Sequence, residues 1–531
     1  MELKGVSLIG FREGEKATGF AAINPATGQP LETQFYAASA ADVDRAAQLA
    51  KKAVPAYGSL PGKDRAAFLR HIASALEANA SDIVKRANLE TALPEGRLQG
   101  EMGRTCNQLR LFAQVVEEGS WVGARLDSPD PGRKPAPKPA IRSMLKPLGP
   151  AAVFGASNFP LAFSVAGGDT ASALAAGNPV VVKAHPAHPG TSELVGQLIR
   201  ESVRALNLPE GVFSLLFDAG IEIGIRLVQH PAIKAVAFTG SQAGGTALMK
   251  LAAARPEPIP CYAEMSSVNP VFVLPGVLNK RGGTFAAGLQ ASFTLGAGQF
   301  CTKPGVVLLP KEQGTDPFLK ELSNHVESTG SQTLLTPRIA NQYASAVESR
   351  SSAGHAKVLA KGAKADESEP GANAQVALLV ADSKEFQSNE ELAKEIFGPT
   401  TLVVPYTNRE DLLAIAENLE GHLTATIHAE DGELEQYAEL IDILTRKVGR
   451  LLLNSYPTGV EVCHAMVHGG PFPATSDSRS TSVGTRAIFR FARPVCYQDF
   501  PDAALPDALK SSNPLGIWRL VDGEWTRAVS G

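Results

Sequence analysis

Cys301 lies in Gly296-Ala-Gly-Gln-Phe-Cys301-Thr-Lys-Pro-Gly305, where flanking glycines allow a close-turning loop that presents a small thiol to a ligand. A thiolate is among the best nucleophiles a side chain can provide. A lone cysteine is more often a buried small hydrophobe, so its companions decide its role. Glu264 follows the apolar stretch Ile259 to Ala263 and would activate water near a thiol-derived ester, or else form a salt bridge. Asn158, just beyond a short apolar run, offers an amide to a developing oxyanion or a turn-forming side chain.

A second group of residues has the chemistry of phosphate binding. Thr239-Gly240-Ser241-Gln-Ala-Gly244-Gly245 stands between a predicted strand and an apolar helix, with Ser241 as candidate cap. It is neither Gly-x-Gly-x-x-Gly nor a Walker loop, and a purely structural strand-to-helix turn fits it as well. Lys183 ends the apolar run Val180-Val-Val182, where a cation can meet a ribose or phosphate, or simply face solvent.

Elements that position such groups follow from the pattern. Val43, Ala46, Ala47, Ala50 and Val54 share one helical face over 41–54, and Phe68, Ile72 and Leu76 share another over 63–79. From Pro150 to Leu274, Ala151–Phe154, Val180–Val182, Val212–Phe217, Ala235–Phe238 and Val271–Leu274 read as buried strands. They alternate with helical stretches near 162–176, 191–205, 221–229 and 243–253. This is the pattern of a doubly wound parallel sheet, which binds ligands at strand carboxyl ends. A second such region runs from about 282 to 449, with strands near 306–309, 376–380, 401–404 and 424–428. Five prolines between 129 and 139 make a connector or an extended hairpin, and 350–375 reads as solvated surface.

With 531 residues the chain needs two or three domains. A net charge of -4 gives no basic field for nucleic acid, and five scattered cysteines suit a reducing, cytoplasmic compartment without a disulfide framework or paired metal-ligand spacing. Residues 1–20 lack the apolar core of a signal peptide. The 22 uncharged residues Pro147 to Gly168 are long enough to cross a bilayer, but their glycines, Asn158 and Pro160 favour a strand, a turn and a helix start.

Together, Ser157-Asn158-Phe159-Pro160, Val182-Lys183, Phe238-Thr239-Gly240-Ser241, Glu264-Met265, Gly298-Gln299-Phe300-Cys301 and Glu395-Ile-Phe-Gly-Pro399 resemble the aldehyde dehydrogenase superfamily, in order and spacing, over nearly the whole chain. Segments 155–170, 457–462 and 468–475 are similar to the branch that acts on 2,5-dioxovalerate, itself akin to NADP-linked fatty aldehyde dehydrogenases. The resemblance implies an α/β fold with a Rossmann-type cofactor domain (1–125 and 146–264), an α/β catalytic domain (265–460) and a small β oligomerisation extension (126–145 and 484–497), followed by a tail (502–531).

It further implies that Cys301 attacks the aldehyde, Asn158 stabilises the oxyanion, and Glu264 activates water to hydrolyse the thioester. Lys183 would meet the adenosine ribose, Ser241 the pyrophosphate and Glu395 the nicotinamide ribose, with Gly240, Gly245 and Phe397 completing the cofactor set. Ser266-Ser267 stands where many relatives have Gly-Gly, which alters the backbone behind Glu264. Because Ala184-His185-Pro186 carries no acid after Lys183, and His185 or His188 would help hold a 2′-phosphate, NADP is favoured over NAD.

The expected reaction is oxidation of 2,5-dioxopentanoate to 2-oxoglutarate, with Arg104 for the substrate anion and Phe159, Phe163 and Phe300 as apolar lining. The alternatives are a fatty or general aldehyde dehydrogenase and a non-catalytic oligomer of the same fold. No metal, nucleic acid or membrane partner is expected, and a homodimer or homotetramer is.

Overall fold

The computed structural model describes residues 1–312, 314–352, 354–366 and 370–529. Its first sheet has the strand order Cys261–Glu264, Ala235–Thr239, Ala151–Phe154, Val180–Lys183, Phe213–Leu216, Leu8–Ile9 and Arg12–Glu13. The first five strands in this order are mutually parallel, Leu8–Ile9 pairs antiparallel with Phe213–Leu216, and Arg12–Glu13 pairs antiparallel with Leu8–Ile9. Ala151–Phe154, Val180–Lys183 and Phe213–Leu216 are buried throughout, as strands covered by helices on both faces must be. The strand order reverses between Ala151–Phe154 and Ala235–Thr239, so a crevice opens at their carboxyl ends.

The helices that cover this sheet start where local chemistry allows. Ala40–Gly58 begins at a reciprocal capping box between Ser39 and Asp42, and Pro189 opens Pro189–Ala205. Glu95–Glu118 puts Leu98, Met102, Leu109 and Phe112 into the core. Arg97, Glu101 and Arg104, spaced i, i+4 and i+7, occupy one other stripe of that helix.

The expectation of a helix near 162–176 is corrected. Helix begins only at Gly168, and the residues before it form buried turns. The cause is distant in sequence: one carboxylate oxygen of buried Glu101 accepts from the backbone N–H groups of Leu161 and Ala162, each at 2.9 Å.

The second sheet runs Lys357–Lys361, Ala377–Val380, Thr400–Tyr406, Val306–Pro310, Val271–Val273, His422–His428, Val448–Leu453, parallel except for its first pair. Lys357–Lys361 and buried Ala356, Ala360, Ala372 and Ala374 correct the reading of 350–375 as mere solvated surface; residues 353 and 367–369 lie outside the described residues.

A third sheet, ordered Ala492–Gln498, Ile141–Pro147, Arg125–Asp127, Arg519–Val521, Glu524–Thr526, stands apart from both. The proline run is the exposed loop of the hairpin joining Arg125–Asp127 to Ile141–Pro147. Two boundaries differ from expectation. Residues 485–491 form a short 3-10 segment whose Ala487, Ile488 and Phe491 enter the first domain's core, and the tail supplies two strands of the third sheet. Arg519 is fully buried there, donating to the carbonyls of Lys510, Ser511 and Ala528. Among the described residues no helix is long and apolar enough to cross a membrane, and Pro147–Gly168 folds as strand ends, Ala151–Phe154 and turns.

Candidate active site

The loop carrying Cys301 turns on three consecutive left-handed residues, Gly296, Ala297 and Gly298, with φ of 58, 57 and 65°. Gly298 has no alternative. A Cβ there would stand 2.2 Å from the carbonyl oxygen of Gly398, so the loop can approach its neighbour only without a side chain. Buried Asn269, itself left-handed, donates from Nδ2 to the carbonyls of Cys301 at 2.8 Å and Lys303 at 2.9 Å and so fixes the thiol's backbone. The amide of Asn158 donates to the Gln299 carbonyl at 2.9 Å, which places it against the same loop.

Glu264, at the carboxyl end of Cys261–Glu264, is brought to the thiol through a residue with no assigned role in the sequence reading. The ring nitrogen Nε2 of fully buried His468 lies 3.3 Å from Cys301 Sγ and 2.9 Å from Glu264 Oε1. The Ser482 hydroxyl donates to the other carboxylate oxygen. Burial pushes the Glu264 carboxyl up, but His468, Ser482 and Arg490 outweigh it and hold it below the usual range, as a carboxylate. Burial drives the Cys301 thiol well above its usual range, and the Glu264 and Glu395 charges add to this, against Arg104 and Arg450. Glu264, Cys301 and His468 are also the one cluster of metal-ligating types found among the described residues, with donor atoms within 4.8 Å.

Cys301 opens into a cavity of about 250 Å³ lined by Arg97, Arg104, Phe159, Phe163, Phe300 and Val460. Phe159 packs edge-on against both Phe163 and Phe300, at centroid distances of 5.3 and 5.2 Å. The Arg104 guanidinium lies 5.1 Å from the Phe163 ring and spends only Nε on protein, donating to Val460 O at 3.3 Å. Its Nη1 and Nη2 are buried without a partner. Arg97 donates to the Asn158 carbonyl at 2.8 Å and stacks over Phe159 and Phe300, with Nε and Nη1 unpartnered. Arg97 and Arg104 thus bring two cations with unpartnered donors to the wall of this cavity, beside the Glu101 carboxylate that also lines it.

On the other side of the loop lies the sheet crevice. Register pairs Phe154 with Lys183 and Thr239 with Glu264, so these residues share one edge. The following turn is exposed at Gly240–Ala243, and Ser241 caps Gln242–Ala253 by accepting from Gly244 N–H at 3.2 Å. Gly240 and Gly245 act by lacking side chains: a Cβ would come within 2.6 Å of the Phe238 ring and of Met265 respectively. The buried Thr239 hydroxyl has no partner. Lys183 Nζ donates to Asp218 O at 2.9 Å, and burial pushes its ammonium down to about 8. An open helix N-terminus, a lysine and an orphaned hydroxyl at a switch point fit a dinucleotide. Glu395 and half-buried Phe397 lie in the loop facing Gly298, with Ser266 and Ser267 holding the Glu395 charge against burial.

A profile of the aldehyde dehydrogenase family matches residues 11–471. The chain belongs to this family. It is 48% identical over 526 residues to alpha-ketoglutaric semialdehyde dehydrogenase 2 of Azospirillum brasilense, covering 99% of this chain and 100% of that protein. It is 47% identical over 519 residues to the alpha-ketoglutaric semialdehyde dehydrogenase of Acinetobacter baylyi, covering 98% of each. The crystal structure of betaine aldehyde dehydrogenase from Staphylococcus aureus in complex with NAD+ superposes with a TM-score of 0.80 at 19% identity, over 93% of this chain and 95% of that one.

In this aldehyde dehydrogenase the structure gathers Cys301, Glu264, Asn158, Phe159, Phe300 and Arg104 around one cavity or its immediate wall, and Lys183, Gly240, Ser241 and Gly245 along the crevice. The histidine expectation at the adenosine end is corrected. Both His188 nitrogens are engaged, with Ala156 O and Ser192 Oγ, and burial holds His185 well below its usual range, so neither supplies a cation. Three further residues touch this set. His468 belongs to a motif noted only as a branch marker, Arg97 shares Arg104's helical stripe, and Asp218 reaches Lys183 from the end of a different strand.

The raised thiol gives a pH expectation. Burial holds the Cys301 thiol well above its ordinary range in the cofactor-free protein, so alkylation by iodoacetamide should be slow at neutral pH and rise only beyond the range of an unperturbed thiol. Mass spectrometry of the Cys301 peptide checks this; full reactivity by pH 7.5 contradicts it.

Proposed function

We propose that this aldehyde dehydrogenase oxidises 2,5-dioxopentanoate to 2-oxoglutarate. Arg104 carries the reading: it lines the cavity that holds Cys301 and has two buried, unpartnered donors, which a carboxylate at the far end of a short aldehyde would satisfy. A cavity of about 250 Å³ also suits a five-carbon acid and falls short of the usual range for large ligands. The names of the two relatives near half identity agree.

Chemistry proceeds from the residues. The Cys301 proton passes to His468 and on to Glu264, and the thiolate adds to the aldehyde carbon. The Asn158 amide turns from Gln299 toward the new oxyanion, and the Cys301 N–H assists. The crevice at Lys183, Gly240 and Ser241 would hold a dinucleotide, which would supply the hydride acceptor. Glu264 gives the first proton up to solvent, then draws a proton from the water that attacks the thioester and returns it through His468 to the departing sulfur, so Cys301 leaves as the thiol.

NADP or NAD fits the crevice, with NADP favoured because residues 184–186 carry no acid. The Asp218 carboxylate nearby is already spent on the N–H groups of Gly220 and Ile223. A second copy of the chain is the proposed partner, since Val448–Leu453 and Ala492–Gln498 are both edge strands and the first exposes Leu451 and Leu453.

Arg104→Met tests the substrate. Removing a buried charge partner costs about 2 to 5 kcal/mol, so kcat/KM for 2,5-dioxopentanoate should fall by about 30- to 5,000-fold while hexanal changes less than about threefold. Equal losses on both aldehydes, or wild-type preference for alkanals, would overturn the assignment and favour a general aldehyde dehydrogenase.

A further inference from the structure

Lys303, two residues beyond the nucleophile, has no role in the chemistry above, yet it is 1% exposed. A lysine is almost never so enclosed unless its ammonium is fully engaged. Its Nζ crosses to a different segment and donates to the carbonyls of Ile396 at 2.8 Å and Thr400 at 2.9 Å. Those two carbonyls bracket Phe397-Gly398-Pro399, the stretch that Gly298 touches backbone to backbone. The Lys303 carbonyl is itself held by Asn269, the same side chain that holds the Cys301 carbonyl. One cation thus closes a ring: Asn269 to the nucleophile loop, the nucleophile loop to the Glu395 loop. Glu395 is the charge nearest in kind. Burial pushes its carboxyl up and the Lys303 ammonium down, and each opposes the other's neutralisation.

We propose that Lys303 is a positioning residue that staples the Cys301 loop to the Glu395 loop, so that ordering the nicotinamide ribose at Glu395 and aligning the thiol are one mechanical event. Resting on the assignment of Glu395 to the ribose, the inference adds a residue that touches neither substrate nor dinucleotide. Without the staple the Glu395 loop can drift from Gly298, and a displacement near 1 Å is worth about a hundredfold where groups must meet in register.

The test is Lys303→Met, which keeps the length and apolar stem and removes the donors, with Lys303→Gln as a variant that retains two N–H groups. Dissociation constants for NAD and NADP are measured by calorimetry without aldehyde, and Cys301 alkylation is followed with and without dinucleotide. The expected result is a dinucleotide Kd raised about 10- to 100-fold in Lys303→Met, with partial recovery in Lys303→Gln. Cofactor-free alkylation should stay within about threefold of wild type, and any change that dinucleotide causes in the wild-type alkylation rate should be lost.

In a Glu395→Gln background the further effect of Lys303→Met should shrink to less than about threefold, as coupled residues are non-additive. Unchanged Kd in a folded variant, or full additivity with Glu395→Gln, overturns the proposal. So does a loss of cofactor-free thiol reactivity that tracks a fall in melting temperature, because that is a general folding role. Neither measurement uses an aldehyde, so a wrong substrate assignment leaves both readouts intact.

Discussion

Cys301→Ala should lower aldehyde-dependent NAD(P)H formation by about 10⁴-fold or more, the scale seen when a nucleophile that works with its base as a unit is removed. Cys106 and Cys261 cannot substitute. Burial pushes Cys106 up to about 11 and Cys261 up to about 12, and neither has His468 beside it. Dinucleotide binding should survive, because the crevice at Lys183 and Ser241 is built from other strands. The decisive measurement pairs turnover with calorimetric binding in the same preparation. A variant that kept full turnover would end the covalent mechanism, whereas one that lost binding as well would show only a disrupted fold.

Glu264→Gln should separate the two halves of the reaction. The amide cannot take a proton from water, so steady-state turnover is expected to fall by about 10²- to 10⁴-fold, the usual span for a lost general base. Acylation draws on Glu264 only through His468, and one equivalent of NAD(P)H should still form in a burst before the thioester stalls. Rapid-mixing absorbance reads the burst, and intact mass reads the acyl adduct on Cys301. A burst slowed in proportion to turnover would assign Glu264 to the first step instead. The pH profile has a defined sign: a depressed carboxyl means that turnover is retained above the ordinary glutamate range and lost only as pH falls through the lowered value.

How much of this was legible in the sequence depends on where each residue's partner lies. The strands Ala151–Phe154 and Val180–Lys183 announced themselves because burial on both faces makes them uniformly apolar. Cys301, Glu264, Asn158 and Glu395 sit in compact motifs whose chemistry and resemblance to a family can be read locally. His468 could not be assigned that way. Its meaning comes from two atoms on separate segments, and a histidine beside Gly469-Gly470 carries no such signal alone.

The false helix over 162–167 has the same origin, since an apolar uncharged run looks helical until Glu101 arrives from another helix to take up its N–H groups. Arg97 and Arg104 were half legible: the i, i+7 spacing was present, but charged residues on a helix ordinarily face water, and only the fold shows them facing Phe159 and Phe163. Ser266-Ser267, a departure that put the base in doubt, turns out to face Glu395, and the Ser267 hydroxyl donates to the Asn269 side chain that steadies Cys301.

The third sheet sets a timetable. Its strand Arg125–Asp127 is synthesised early but pairs with Arg519–Val521, and the Ser128 N–H and hydroxyl both meet Asp522. Ser128 and Asp522 stand 394 positions apart, so the earlier strand waits for its partner on every newly made chain. Every strand of the two larger sheets is made before Arg519–Val521, so their pairing does not depend on it, whereas this sheet can be completed only once that later segment has been made.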